Sequence, residues 1–281
     1  MSIPSIVYKA HATGNDFVVY LDEDGTHEPT ADEVRFLCDR HFGIGADGLI
    51  LIGASKTADF SMEMYNADGS KGAMCGNGIR CVGKYVYEHG LTRKTTLTIE
   101  TGSGNRVIHL QTGENPNEIC QVIVEMGTPE FRAAQIPVVS LGEYVLEHKI
   151  AVCGENYTMT CLSMGNPHAV IFSEEINGIS LEETGRELEF HPRFPERANI
   201  EFCHVTARDR MEIRVWERGV GETLACGTGA CAAVVASVLN DLTDEEVIVK
   251  LLGGELTVRW DRKVNHVFLE GPAVKVFDGV L

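Results

Sequence analysis

Ala73-Met74-Cys75-Gly76-Asn77-Gly78 and Leu224-Ala225-Cys226-Gly227-Thr228-Gly229 are two versions of one motif, and their agreement decides how the chain folds. Upstream, Gly14-Asn15-Asp16-Phe17-Val18-Val19-Tyr20 resembles Gly165-Asn166-Pro167-His168-Ala169-Val170-Ile171. Asn15 precedes Cys75 by 60 residues, as Asn166 precedes Cys226. Between these anchors, Met62 to Asn66 reads as a strand and Met211 to Glu217 as its counterpart. Asn66 and Glu217 each stand 9 residues before their cysteine. One Gly-rich match arises by chance; several in one order at one spacing indicate an internal duplication.

Each half reads as mostly strands, with one helix after its cysteine motif. Gly76 to His89 is predicted as the first helix, with Gly90 as its C-terminal stop. Thr228 to Leu239 is the second; it is rich in Ala and Val and apolar on nearly every face, the mark of a central, buried helix. Thr96 to Leu110 and Val247 to Trp260 read as hairpins around Gly102-Ser103-Gly104 and Gly253-Gly254, with two-residue alternation on either side. A shorter helix is predicted from Thr30 to Arg40, with Thr30 as N-cap. Phe131 to Ser140, which contains Pro137, reads as the inter-domain connection. The predicted fold class is α+β: two pseudo-symmetric domains, residues 1–130 and 131–270, each a mixed or antiparallel sheet wrapped around a central helix. The active site is expected in the cleft between them.

The 281 residues carry a net charge of −17 and are 44% hydrophobic and 23% charged, as in an ordinary globular protein. That charge argues against nucleic acid and anionic membrane as partners, both of which call for a basic surface. The longest apolar stretch, Ala230 to Leu239, is too short to span a bilayer. Met1 to Ala10 lacks the charged and apolar regions of a signal peptide, so the cytoplasm is expected. Nine cysteines, an odd number, read as free thiols there. Cys38, Cys120, Cys161 and Cys203 lie in apolar runs and are expected to be buried as small hydrophobes.

Cys75 and Cys226 differ from these. Each occupies the strand-to-helix corner of a C-G-x-G motif, where glycine lets a ligand approach the backbone. The following helix leaves its first N–H groups unpaired and its dipole aimed at the corner. Both features favour an anion, whether a thiolate or a substrate carboxylate. Two such corners, one from each half, suit the inversion of an α-carbon: a thiolate takes a proton from one face while a thiol delivers one to the other. Helix N-termini would stabilise the charge that develops on the carboxylate. A metal site built from Cys75, Cys81, Cys226 and Cys231 is disfavoured. Structural zinc uses closer pairs, and these spacings put the partners on different helix faces, with Cys81 and Cys231 read as helix-core residues. A disulfide between Cys75 and Cys226 is expected only as a side reaction of the empty site.

The strings HATGNDF, MCGNGIRC, MGNPHAV, ERANIEF and ERGVGETLACGTGACA together resemble those of the diaminopimelate epimerase family. The resemblance runs from about Lys9 to about Gly271. It implies conversion of LL- to meso-diaminopimelate with no pyridoxal phosphate, other cofactor or metal, in lysine and peptidoglycan synthesis, by a homodimer. It also implies that segment 271–281 returns to the first domain. Cys75 and Cys226 become the acid–base pair, with Cys226 as acceptor and Cys75 as donor in the LL-to-meso direction. Gly76, Asn77, Gly227 and Thr228 supply N–H groups to the carboxylate at the reacting centre. Asn15, Asn66, Asn166, Asn199, Glu217 and Arg218 hold the charged heads of the substrate, while His168 and Glu217 tune the thiols. These residue types suit the task, because Asn both donates and accepts, Arg grips a carboxylate with two hydrogen bonds, and Glu accepts from an ammonium group. Where many members carry Gln after G-I-G-x-D, this chain has Gly48, so a contact expected there is absent or falls to backbone or water.

Two other classes remain open at this point. A racemase of proline, hydroxyproline or histidine type would use the same cysteine pair, though Arg218 and three asparagines imply a second charged head. A cysteine-based redox or binding protein would keep the cleft without turnover; protection of the thiols by substrate separates it from an enzyme.

Overall fold

The computed structural model describes residues 6–22, 25–72 and 74–280; Ala73 of the first motif and the first five residues of the N-terminal run lie outside them. The chain divides into two compact units, Met1–Glu125 with Glu270–Leu281, and Met126–Leu269.

The first unit runs β1 (Ile6–Ala12), β2 (Asn15–Asp22), α1 (Ala31–Cys38), β3 (Gly48–Gly53), β4 (Phe60–Asn66), β5 (Lys71–Gly72), α2 (Gly76–Glu88), β6 (Thr96–Thr101), β7 (Gly104–Thr112) and β8 (Ile119–Gly127). Helix α1 begins where Thr30 and Glu33 form a reciprocal capping box. Helix α2 ends at His89, followed by Gly90 at φ 73°, the left-handed stop that its glycine allows. Every residue of α2 from Gly76 to Tyr87 is buried, and the helix packs against β1, β2, β4 and β7.

The second unit runs β9 (His148–Val152), β10 (Glu155–Ser163), β11 (Pro167–Phe172), α3 (Leu181–Glu189), β12 (Asn199–Ala207), β13 (Arg210–Glu217), β14 (Gly221–Thr223), α4 (Gly227–Leu239), β15 (Glu246–Leu251), β16 (Gly254–Asp261) and β17 (His266–Gly271). Helix α4 is fully buried from Ala230 to Ser237 and packs on β10, β11, β12, β13, β15 and β16. Its valines are poorer helix formers than alanine by less than about 1 kcal/mol each. Burying each contributes about 1.5–3 kcal/mol, so packing decides the conformation. The last strand, β18 (Val274–Val280), returns to the first unit and pairs antiparallel with β1.

The duplication is visible strand by strand. β1–β2 and β10–β11 pair antiparallel; β2–β3 and β11–β12 are parallel; β3–β4 and β12–β13 are antiparallel. The β4–β6 and β13–β15 pairs are parallel across the buried helix, and β6–β7 and β15–β16 close the two hairpins. The register repeats too: Val19 faces Ile50 as Val170 faces Glu201. The fold class is therefore α+β, two pseudo-symmetric halves that each wrap a mixed sheet on one helix.

Two expectations need correction, and one helix has no counterpart among the predicted elements. Helix α3 was not anticipated, because Gly185 at its centre and a strongly charged face weaken the sequence signal; Leu181 and Leu188 bury its inner face. Cys120 is exposed, because it points outward from β8 between inward-facing Ile119 and Val122. Residues 131–140 are packed: Ala133, Ile136 and Val138 join the core of the second unit.

Candidate active site

Each cysteine is the N-cap of its unit's buried helix. The amide of Gly78 donates to Cys75 Sγ at 3.5 Å, and that of Gly229 to Cys226 Sγ at 3.3 Å. Ser, Thr, Asp and Asn are the usual N-caps, so a sulfur in this place takes the positive end of the helix on a group that can lose a proton. Gly76 and Asn77, like Gly227 and Thr228, supply the first N–H groups of their helices, which no helical carbonyl accepts.

In the first unit, Asn15 Oδ1 accepts from Asn77 Nδ2 at 3.1 Å and from the Cys75 thiol at 3.7 Å. Asn15 is oriented from behind, as its Nδ2 donates to Asp47 Oδ2 at 2.8 Å. Arg40 joins Asp47 to Asp16, which also takes Lys9 Nζ at 2.7 Å. Burial opposes ionisation of Asp16, but hydrogen bonds from Arg40 and Lys9 hold it well below the usual carboxylate range. Under Cys75 lies Arg80, 0% exposed. Its guanidinium donates to Gly76 O (3.1 Å), Asn77 Oδ1 (3.1 Å), Thr13 Oγ1 (3.3 Å) and Pro272 O (3.2 Å). A buried cation needs such a full set of acceptors. Asn66 is exposed and donates to Ser70 Oγ at 2.9 Å.

In the second unit, Asn166 Nδ2 donates to Thr228 Oγ1 at 3.3 Å, and Thr228 Oγ1 lies 3.5 Å from Cys226 Sγ. His168 Nε2 lies 3.0 Å from Asn166 Oδ1, so His168 reaches the sulfur through two intermediaries. Glu217 accepts from Thr223 Oγ1 at 2.5 Å. Burial pushes the Glu217 carboxyl up, and the Thr223 hydroxyl opposes it. Burial also raises the Cys226 thiol well above its ordinary value. Glu217 reinforces that, and Thr228 and Gly229 partly offset it. Asn199 is buried, donating to Pro167 O and accepting from the Arg218 amide, so it holds the turn that carries Arg218. The Arg218 side chain is exposed and donates to Glu196 O.

Asp47, Arg80, Thr13, Thr223 and Glu201 were not singled out in the sequence. The repeat itself held the signal for Glu201, since it stands where the first half has Ile50. Gly48 has a physical reason. A Cβ there would lie 2.7 Å from Tyr65 O on the adjoining strand, so no side chain fits this backbone. Among the described residues, no group of three or more His, Cys, Asp or Glu is placed to hold a metal ion.

The family model described as diaminopimelate epimerase matches residues 7–132 and 160–276. The chain belongs to the diaminopimelate epimerase family. Relatives of that name from Acetivibrio thermocellus and Agathobacter rectalis are 47% and 48% identical. The alignments cover 96% of this chain in both, and 96% and 97% of the relatives. A hydroxyproline epimerase from Agrobacterium vitis, 15% identical, superposes with a TM-score of 0.68 over 98% of this chain and 90% of that one. At that identity the likeness shows the fold alone.

Proposed function

We propose that the chain interconverts LL- and meso-diaminopimelate, with Cys75 and Cys226 acting on opposite faces of one α-carbon. The observation that carries this reading is the repeated helix cap: in both units the sulfur accepts the amide of the third helical residue. Each half then offers a proton carrier beside two N–H groups for the substrate carboxylate. Charge that moves onto the carboxylate during proton removal meets those dipoles. Asn15, Asn66, Asn166, Asn199, Glu217 and Arg218 bind the heads of the substrate, Arg218 taking the remote carboxylate.

In the LL-to-meso direction Cys226 accepts the proton, although burial favours its thiol in the free protein. An ammonium group received by Glu217 brings a positive charge against that sulfur and favours the thiolate when substrate is bound. One cysteine must be ionised and the other protonated, so kcat/KM is expected to fall at both low and high pH. The test is epimerisation in D₂O, under reducing conditions and without added cofactor, across pH 6–10. Meso product with deuterium at the inverted carbon and a bell-shaped profile support the reading; no product from folded, reduced protein rejects the substrate. The cytoplasmic location and the homodimer are part of the same proposal, and light scattering of the purified chain tests the latter.

A further inference from the structure

The two halves differ at one pair of positions beneath their cysteines. In the first unit Phe17 and Ile50 are fully buried on neighbouring parallel strands; at the same register the second unit has His168 and Glu201, both 0% exposed. A Cβ on Gly78 would meet Ile50 Cδ1 at 2.8 Å, and one on Gly229 would meet Glu201 Oε1 at 2.9 Å. Both side chains thus lie under the first turn of a cysteine-capped helix. The fold is satisfied by an apolar pair there, so the polar pair in the second unit is not a requirement of the architecture.

From that pair a chain of hydrogen bonds runs to sulfur. Glu201 Oε1 lies 2.7 Å from His168 Nδ1, His168 Nε2 lies 3.0 Å from Asn166 Oδ1, and Asn166 Nδ2 lies 3.3 Å from Thr228 Oγ1. Thr228 Oγ1 lies 3.5 Å from Cys226 Sγ. Chemistry fixes the direction. An amide oxygen only accepts, so Nε2 carries the hydrogen; an amide nitrogen only donates, so Thr228 accepts and keeps its own hydrogen for the sulfur. In a neutral imidazole Nδ1 is then left to accept from Glu201. The other carboxyl oxygen, Oε2, is buried without a hydrogen-bond partner. A buried orphan oxygen costs much less on a neutral acid than on a carboxylate, so the proton belongs on Oε1.

We propose that Glu201 is a positioning residue, a buried neutral acid that holds His168 in its Nε2–H form so that the donors from His168 onward point toward Cys226 Sγ. This rests on the reading of Cys226 as a proton carrier. Burial raises the Glu201 carboxyl, which agrees with a neutral acid. The other titratable groups that sense it are Glu217, Cys226, Cys161 and Cys203.

Three variants test it. Glu201→Leu removes the donor. Glu201→Ile with His168→Phe copies the pair of the first unit and guards against misfolding. Glu201→Gln keeps a donor to Nδ1. The first two are expected to raise the pH midpoint of Cys226 alkylation, read peptide by peptide, by about one unit, and to lower kcat/KM about tenfold, since one unit of pKa is a factor of ten in thiolate. In Glu201→Gln both readouts are expected to stay near wild type, and ¹⁵N spectra of His168 keep the Nε2–H form, which Glu201→Leu loses. An unmoved alkylation midpoint in the double variant, or Glu201→Gln behaving like Glu201→Leu, overturns the proposal. Alkylation and ¹⁵N spectra need no substrate. If they respond as expected while wild type leaves diaminopimelate untouched, the function reading fails and the relay stands.

Discussion

Replacing either Cys75 or Cys226 by alanine is expected to lower epimerisation at least about 10³-fold, while the protein stays folded. A positioned acid or base contributes about 10²–10⁴-fold, and inversion needs both at once. Each cysteine is also a helix cap, and losing a cap costs about 1 kcal/mol. The activity loss corresponds to about 4 kcal/mol of barrier, so thermal denaturation and turnover separate the two roles. The variants should also differ from a dead protein. With Cys75→Ala, the remaining base is expected to exchange the α-hydrogen of LL-diaminopimelate for deuterium slowly and with retained configuration. Proton NMR of recovered substrate reads this, and near-normal inversion by Cys75→Ala would remove that cysteine from the mechanism.

Gly48→Gln is expected to destabilise the first unit by about 1–3 kcal/mol, the usual cost of overpacking a filled site. The new Cβ would lie 2.7 Å from Tyr65 O and 3.4 Å from Phe17 Cδ1. The first is backbone in the centre of a sheet and cannot rotate away. Gly48 pairs with Asn66 and follows Asp47, which orients Asn15, so the strand shift should also raise KM for diaminopimelate. A melting temperature equal to wild type would show that the strands separate more easily than this register implies. The matching position in the second unit, Asn199, carries a side chain used to hold Pro167 and Arg218, so a substituent is accommodated in one half and excluded from the other.

The parts of the fold legible in the sequence are those where local chemistry and long-range order agree. The helices after Cys75 and Cys226, the two glycine hairpins and the Thr30 cap each announce themselves within a dozen residues. Helix α3 does not. It is the counterpart of α1, but Gly185 and its charged face hide the pattern. What fixes Gly185 is Trp216, whose ring leaves no room for a Cβ; the nearest ring atom would stand 2.8 Å away. That contact joins distant parts of the chain and leaves no local trace. The candidate site divides in the same way. Both cysteines, the asparagines beside them and Glu217 lie in motifs. Glu201 sits inside an apolar strand, and its meaning comes from an imidazole 33 residues away. Arg80 is similar: on a helix it reads as a solvated charge, and only the fold brings Thr13 and Pro272 to it.

The return of β18 to the first unit sets an order of events on the ribosome. The second unit is one uninterrupted stretch, Met126–Leu269, and is almost complete once that stretch has emerged. The first unit is made earlier yet must wait. Until β18 appears, β1 has a bare edge, and until Pro272 appears the Arg80 cation lacks one of its acceptors. The half synthesised first is therefore the half completed last, and a chain truncated after Leu269 would carry the whole of the second unit and an incomplete first one.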